Sequence, residues 1–130
     1  MPIFSFAKLV RDKIVQHQID SGAQPTYRTL DDQEYKQALV AKIAEEAQEV
    51  VQASADQIAA EIADVQQALD DLRDSYGIKA ADVATAQQHK NQKNGAFGKR
   101  LYVETVAVDE ENPWTVYYRQ HSDRYPEINN

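Results

Sequence analysis

Apolar residues recur at helical spacing through most of the chain, then give way to β-branched and aromatic runs near its end. From about Phe6 to Asp20, the positions Ala7, Val10, Ile14, Val15 and Ile19 predict a helix with one apolar stripe. Gly22 and then Gln24-Pro25 should stop it near Ser21. Pro25 to Leu30 reads as a loop or a short extended segment. Asp31 followed by Glu34 is a capping-box-like pair that opens a second helix. Tyr35, Leu39, Ile43, Ala47 and Val50 carry that helix to about Ala53. Ser54-Ala55-Asp56 is a short break, with Ser54 or Asp56 as the N-cap of a third helix. Ile58, Ile62, Val65, Leu69, Leu72 and Tyr76 form its apolar stripe, and Gly77 sits where a C-terminal cap glycine belongs. So short a connection makes helices two and three antiparallel neighbours. A fourth, largely polar helix spans roughly Ala80 to Asn94 and ends at Gly95. Leu101 to Val108 and Trp114 to Tyr118 are rich in β-branched and aromatic residues. With Asp109-Glu110-Glu111-Asn112-Pro113 as a turn between them, they predict a β-hairpin. Gln120 to Asn130 is a polar tail anchored by Tyr125-Pro126. The expected fold is mainly α, a bundle of about four helices with a C-terminal β-hairpin. Residues 1–104 form the domain and 105–130 an extension of it.

Composition narrows the functional classes. The 130 residues hold 14 Lys plus Arg against 21 Asp plus Glu, a formal charge of −7. Affinity for a nucleic-acid polymer comes largely from basic surface, so this balance argues against such a partner. It fits a protein that reserves carboxylates for divalent cations. Without cysteine there is no disulfide and no thiolate metal site. Met1-Pro2-Ile3-Phe4 lacks the features of a secretory signal. No run approaches the roughly 18 apolar residues of a membrane span. A cytoplasmic protein with no membrane partner is expected.

The acids themselves carry the sharpest pattern: Glu45-Glu46-x-x-Glu49, eleven intervening residues, then Glu61-x-x-Asp64. At about 100° per residue, Glu46 falls inside the apolar stripe of helix two and Glu49 on its edge. Glu61 falls inside the stripe of helix three and Asp64 on its edge. Glu45 points further toward solvent. Converging buried carboxylates repel one another and lose hydration, a double cost that a hard, oxygen-seeking cation removes. Pairing of Glu46 and Glu61 with Lys or Arg from another helix is the competing reading. His17, His89 and His121 are scattered, and neither acidic cluster contains the His of a Glu-x-x-His di-iron site.

The paired acidic motif resembles the signature of the all-α nucleoside triphosphate pyrophosphatase superfamily. That group includes MazG-like enzymes, dimeric dUTPases and phosphoribosyl-ATP pyrophosphohydrolases. Lys8-Leu9-Val10-Arg11-Asp12-Lys13-Ile14 and Gly95-Ala96-Phe97-Gly98-Lys99-Arg100-Leu101-Tyr102 look like the flanks of a small MazG-like subgroup. The likeness covers about residues 5–104, with a gap between the acidic clusters at the short end of the family's range.

The resemblance implies hydrolysis between the α- and β-phosphates of a nucleotide, giving a monophosphate and pyrophosphate, in a house-cleaning role against non-standard nucleotides. By position it implies that Glu46, Glu49, Glu61 and Asp64 hold Mg²⁺ (or Mn²⁺) and that Glu45 orients or deprotonates the attacking water. Substrate-binding candidates are Lys8, Arg11 and Lys13 on the first helix, and Lys90, Lys93, Asn94 and Arg100 around the fourth. Arg11 has the alternative of an ion pair with Asp12. The resemblance also implies a homodimer or homotetramer. Two other functions remain open: phosphoribosyl-ATP hydrolysis, and a non-catalytic nucleotide-binding or oligomeric helical module.

Overall fold

The computed structural model describes residues 1–128, which form five helices and no strand. They are α1 (Ile14–Asp20), α2 (Asp32–Gln52), α3 (Ile58–Ser75), α4 (Ala80–Asn94) and α5 (Pro113–Gln120). The chain divides into two compact units, Met1–Lys93 and Asn94–Asn130. Mainly helical architecture agrees with the expectation from sequence.

The first unit is built on the antiparallel pair α2 and α3. Asp31 caps α2, its Oδ1 accepting from the Glu34 amide at 2.8 Å. Arg28 then grips Glu34 in a fork of 3.2 and 2.6 Å. The expected caps of α3 at Ser54 or Asp56 do not form, because the Ser54 hydroxyl donates to Asp56 at 2.6 Å instead. Gln57 is the N-cap and makes no side-chain capping bond; its Oε1 accepts instead from the Ser54 amide at 3.4 Å. Gly77, at φ +66°, turns the chain out of α3 in the left-handed region where a glycine carries no steric cost. Far from the α2–α3 turn, Lys36 lies over the Tyr76 ring at 4.7 Å and ties the start of α2 to the end of α3.

The facing seam is defined by Leu39 and Ala68, the two buried apolar residues among those described, at 2% and 6% exposure. Ile43, Val50, Ile58, Val65 and Leu72 extend it as half-buried neighbours. On α3 the seam runs through Ile58, Glu61, Val65, Ala68 and Leu72, at alternating three- and four-residue steps. Ile62 and Leu69, expected on the inner stripe, are instead 54% and 43% exposed. Small Ala68 makes this rotation favourable, since it admits the neighbouring helix closely. The consequence is an apolar groove of about 320 Å³ on the outside of the pair, lined by Ala47, Val50, Ile62, Val65 and Leu69.

The helix expected from about Phe6 begins only at Ile14. Ala7 has φ +46°, in a region closed to helical propagation, and residues 1–13 form no regular element. Side chains from this segment reach across to α2 and α3, as described below, which sets its path more strongly than helix propensity does. Every residue of α4 is exposed.

In the second unit the expected β-hairpin is replaced by a helix. Asn112 accepts from the Trp114 amide at 2.9 Å and Pro113 occupies the first turn, so Asn112-Pro113 is a helix start. The Thr115 hydroxyl, 6% exposed, donates to the Asp109 carbonyl at 2.6 Å and closes the preceding turn. Trp114, Tyr117, Tyr118 and His121 then share one helical face, with ring centroids 5.4 Å apart for Trp114–Tyr117 and 4.4 Å for Tyr117–His121. Tyr125 folds back on Tyr118 at 5.0 Å. Arg119 links Glu110, at 2.7 and 2.9 Å, to Glu127 at 2.9 Å. Leu101–Val108 pairs with no strand among the described residues, and Tyr102 and Val103 are 89% and 71% exposed. No described helix is long and apolar enough to cross a membrane.

Candidate metal centre

Helix phase brings three of the four predicted ligands together. Glu46 stands in the α2 seam opposite Glu61, and Asp64 follows Glu61 by three residues on α3, placing all three on one side of the helix pair. Glu46, Glu61 and Asp64 each offer a carboxylate oxygen within 4.8 Å of the others, and all are half-buried. Glu49 is exposed and lies outside this triangle. Its charge is nevertheless felt there. Desolvation, then repulsion from Asp64, Glu49 and Glu46, pushes the Glu61 carboxyl above its ordinary value. Every donor is an oxygen, the set that suits Mg²⁺ or Mn²⁺ rather than a softer metal.

Three cations partly balance the acids. Arg11 donates from Nη2 to Asp64 Oδ1 at 2.6 Å. Lys42 Nζ is 3.5 Å from Glu46 and 3.3 Å from Glu45, and Lys8 Nζ is 3.3 Å from the other oxygen of Glu45. Arg11 and Lys8 come from the segment before α1, whereas Lys42 belongs to α2 itself. Arg11 therefore pairs with Asp64 and not with Asp12. The competing sequence reading, in which Glu46 and Glu61 pair with Lys or Arg from another helix, does not hold among the described residues: Glu46 meets Lys42 of its own helix, and Glu61 is in no ion pair. Partial desolvation pushes the Glu45 carboxyl up, but hydrogen bonds from Lys42 and Lys8 and their charges outweigh it and leave the group below its ordinary value. Glu45 is thus held ionised between two ammonium groups.

Beside the acids, a cleft of about 520 Å³ opens between residues 9–17 and the α2–α3 pair. Arg11, Lys13 and Lys42 line it together with Tyr35, Glu46 and Asp64. Desolvation, with the nearby charges of Asp71, Asp12 and Asp74, raises the Tyr35 phenol. His17 also lines this cleft.

The remaining substrate-binding candidates are dispersed. Lys90 and Lys93 lie on exposed α4, while Asn94 and Arg100 belong to the second unit, Arg100 at φ +61°. Lys42 was absent from the residues singled out in the sequence. Its position three and four residues before Glu45 and Glu46 is the signal that finds it. No protein-family model, curated protein or solved structure matches the chain.

Proposed function

We propose that this protein is a Mg²⁺-dependent nucleotide pyrophosphohydrolase that cleaves the α–β phosphate bond of a nucleoside triphosphate, with non-standard nucleotides as the substrate class. The observation that carries the reading is the convergence of Glu46, Glu61 and Asp64 from two helices to within 4.8 Å, at the edge of a cleft to which Arg11, Lys13 and Lys42 contribute positive charge beside the acids Asp12 and Asp71. Without a cation, placing three carboxylates there is unfavourable, and Glu61 bears the cost.

Glu46, Glu61 and Asp64 would hold the cation, with Glu49 adding negative charge from just outside the triangle. A bound Mg²⁺ or Mn²⁺ supplies charge neutralisation at the phosphates and lowers the pKa of a coordinated water. Arg11 and Lys13 hold the phosphate chain from the cleft wall, and Lys8 supports it through Glu45. Glu45, ionised and fixed by two lysines, orients the attacking water through a hydrogen bond. The exposed groove bounded by Ile62 and Leu69 supports assembly into a homodimer or homotetramer, and a cytoplasmic location suits the substrate class.

A panel of standard and modified nucleoside triphosphates, with phosphoribosyl-ATP included, tests the reading by pyrophosphate release at fixed Mg²⁺. Turnover that falls at least a hundredfold in Glu46→Gln and Asp64→Asn is expected. Nucleotide binding without pyrophosphate release, unchanged in both variants, would identify a non-catalytic module instead.

A further inference from the structure

Two features of the cleft bear on Arg11. Its guanidinium is on Asp64, one corner of the acid triangle, at 2.6 Å, and the same residue lines the cleft where the phosphates of a nucleotide would lie. The pair is exposed on both sides, 57% for Arg11 and 37% for Asp64. Exposed pairs of this kind are weak and exchange readily. Arg11 also sits outside any helix, on the segment that precedes α1. Lys42 contrasts with it at every point: it lies on α2, is 19% exposed and contacts two acids at once. One counter-charge is therefore built into the scaffold, and the other is delivered by a separate stretch of chain.

We propose that Arg11 is an exchangeable counterion. It neutralises Asp64 while the triangle is empty, gives up that carboxylate when a divalent cation binds, and turns its guanidinium into the cleft to hold the phosphates. This inference rests on the metal-site reading above and adds an order to it, cation first and polyphosphate second. The charge balance favours the exchange. A divalent ion replaces one unit of positive charge on the acids with two, and the released guanidinium meets a polyphosphate whose oxygens match its fork of donors. Lys42 stays with Glu45 and Glu46 throughout, so the acids never face one another wholly uncompensated.

The test separates the two roles by sign. Binding of Mn²⁺ alone, followed by its paramagnetic resonance signal, is measured for the wild-type chain, Arg11→Gln and Arg11→Lys. Binding of inorganic triphosphate at saturating Mn²⁺ is then measured by calorimetry. Arg11→Gln should bind Mn²⁺ about threefold to tenfold more tightly, since a unit charge a few ångström from a divalent ion at an exposed site weighs on that order. The same variant should bind triphosphate about tenfold more weakly. Arg11→Lys should restore much of the triphosphate affinity and keep Mn²⁺ binding near wild type. In an Asp64→Asn background the Arg11→Gln gain in Mn²⁺ affinity should largely vanish. Wild-type Mn²⁺ binding with no gain in Arg11→Gln would overturn the exchange alone. Unchanged triphosphate affinity in that variant would overturn the phosphate role. Failure of the wild-type chain to bind Mn²⁺ would overturn the metal-site reading and this inference with it.

Discussion

Glu61 concentrates the energetic argument in one side chain. It lies in the α2–α3 seam, surrounded by Asp64, Glu49 and Glu46, and its carboxyl is driven up by lost hydration and like charge. Among the described residues no cation pairs with it, whereas Asp64 has Arg11 and Glu46 has Lys42. Neutralising Glu61 should therefore stabilise the fold when no divalent ion is present. Glu61→Gln is expected to raise the melting temperature in chelator at neutral pH, read by circular dichroism. Added Mg²⁺ should raise the wild-type midpoint and leave the variant's nearly unmoved, because an ion that binds only the folded state stabilises it in proportion to its affinity. Equal Mg²⁺ responses in the two proteins would remove Glu61 from the ligand set.

At the scale of elements, the start of α2 shows how local chemistry sets a boundary. The Arg28 hydrogen bond lowers the Glu34 carboxyl to about 2; desolvation opposes this, and the Asp31 amide and Arg28 charge add to the lowering. The folded value is depressed below the unfolded one, so the contribution is complete above the unfolded pKa of about 4.3 and is lost as pH falls toward about 2. The melting-temperature gap between wild type and Glu34→Gln should accordingly be widest near neutral pH and shrink steadily through that acid window. This boundary was legible in sequence, as were the end of α3 at Gly77 and the placement of Glu46 and Glu61 within apolar stripes. Periodicity suffices where both helices bury one face. It misled at Ile62 and Leu69, because a stripe wider than one seam does not say which half faces inward. At α5, aromatic and β-branched content outweighed a more informative sign. Trp114, Tyr117, Tyr118 and His121 step by three and four residues, and Asn112-Pro113 marks a helix start. The beginning of α1 was illegible for another reason. Lys8 and Arg11 bond to partners 37 and 53 residues away, a constraint no local pattern contains.

Considered whole, the chain buries little for its size. Leu39 and Ala68 alone are buried apolar residues among those described, while Ile62, Leu69 and Val51 remain open at 54%, 43% and 76%. A core this thin leaves apolar area available to a second copy of the chain. Replacing Ile62 and Leu69 together with Asp should shift the protein to monomer in sedimentation velocity and lower its melting temperature; an unaltered sedimentation coefficient would place any interface elsewhere. Ala68 has a consequence of another kind. It is buried in the α2–α3 seam four residues beyond Asp64, so a larger side chain there would push α2, and Glu46 with it, away from the acids of α3. Mg²⁺ demands oxygens at about 2.0–2.1 Å, whereas Ca²⁺ accepts about 2.3–2.6 Å and more of them. On the metal-site reading, a residue that touches no ion would thus bear on which ionic radius the acids accept. Ala68→Leu, by wedging the helices apart, should raise the Ca²⁺-to-Mg²⁺ affinity ratio, measurable by competition against Mn²⁺.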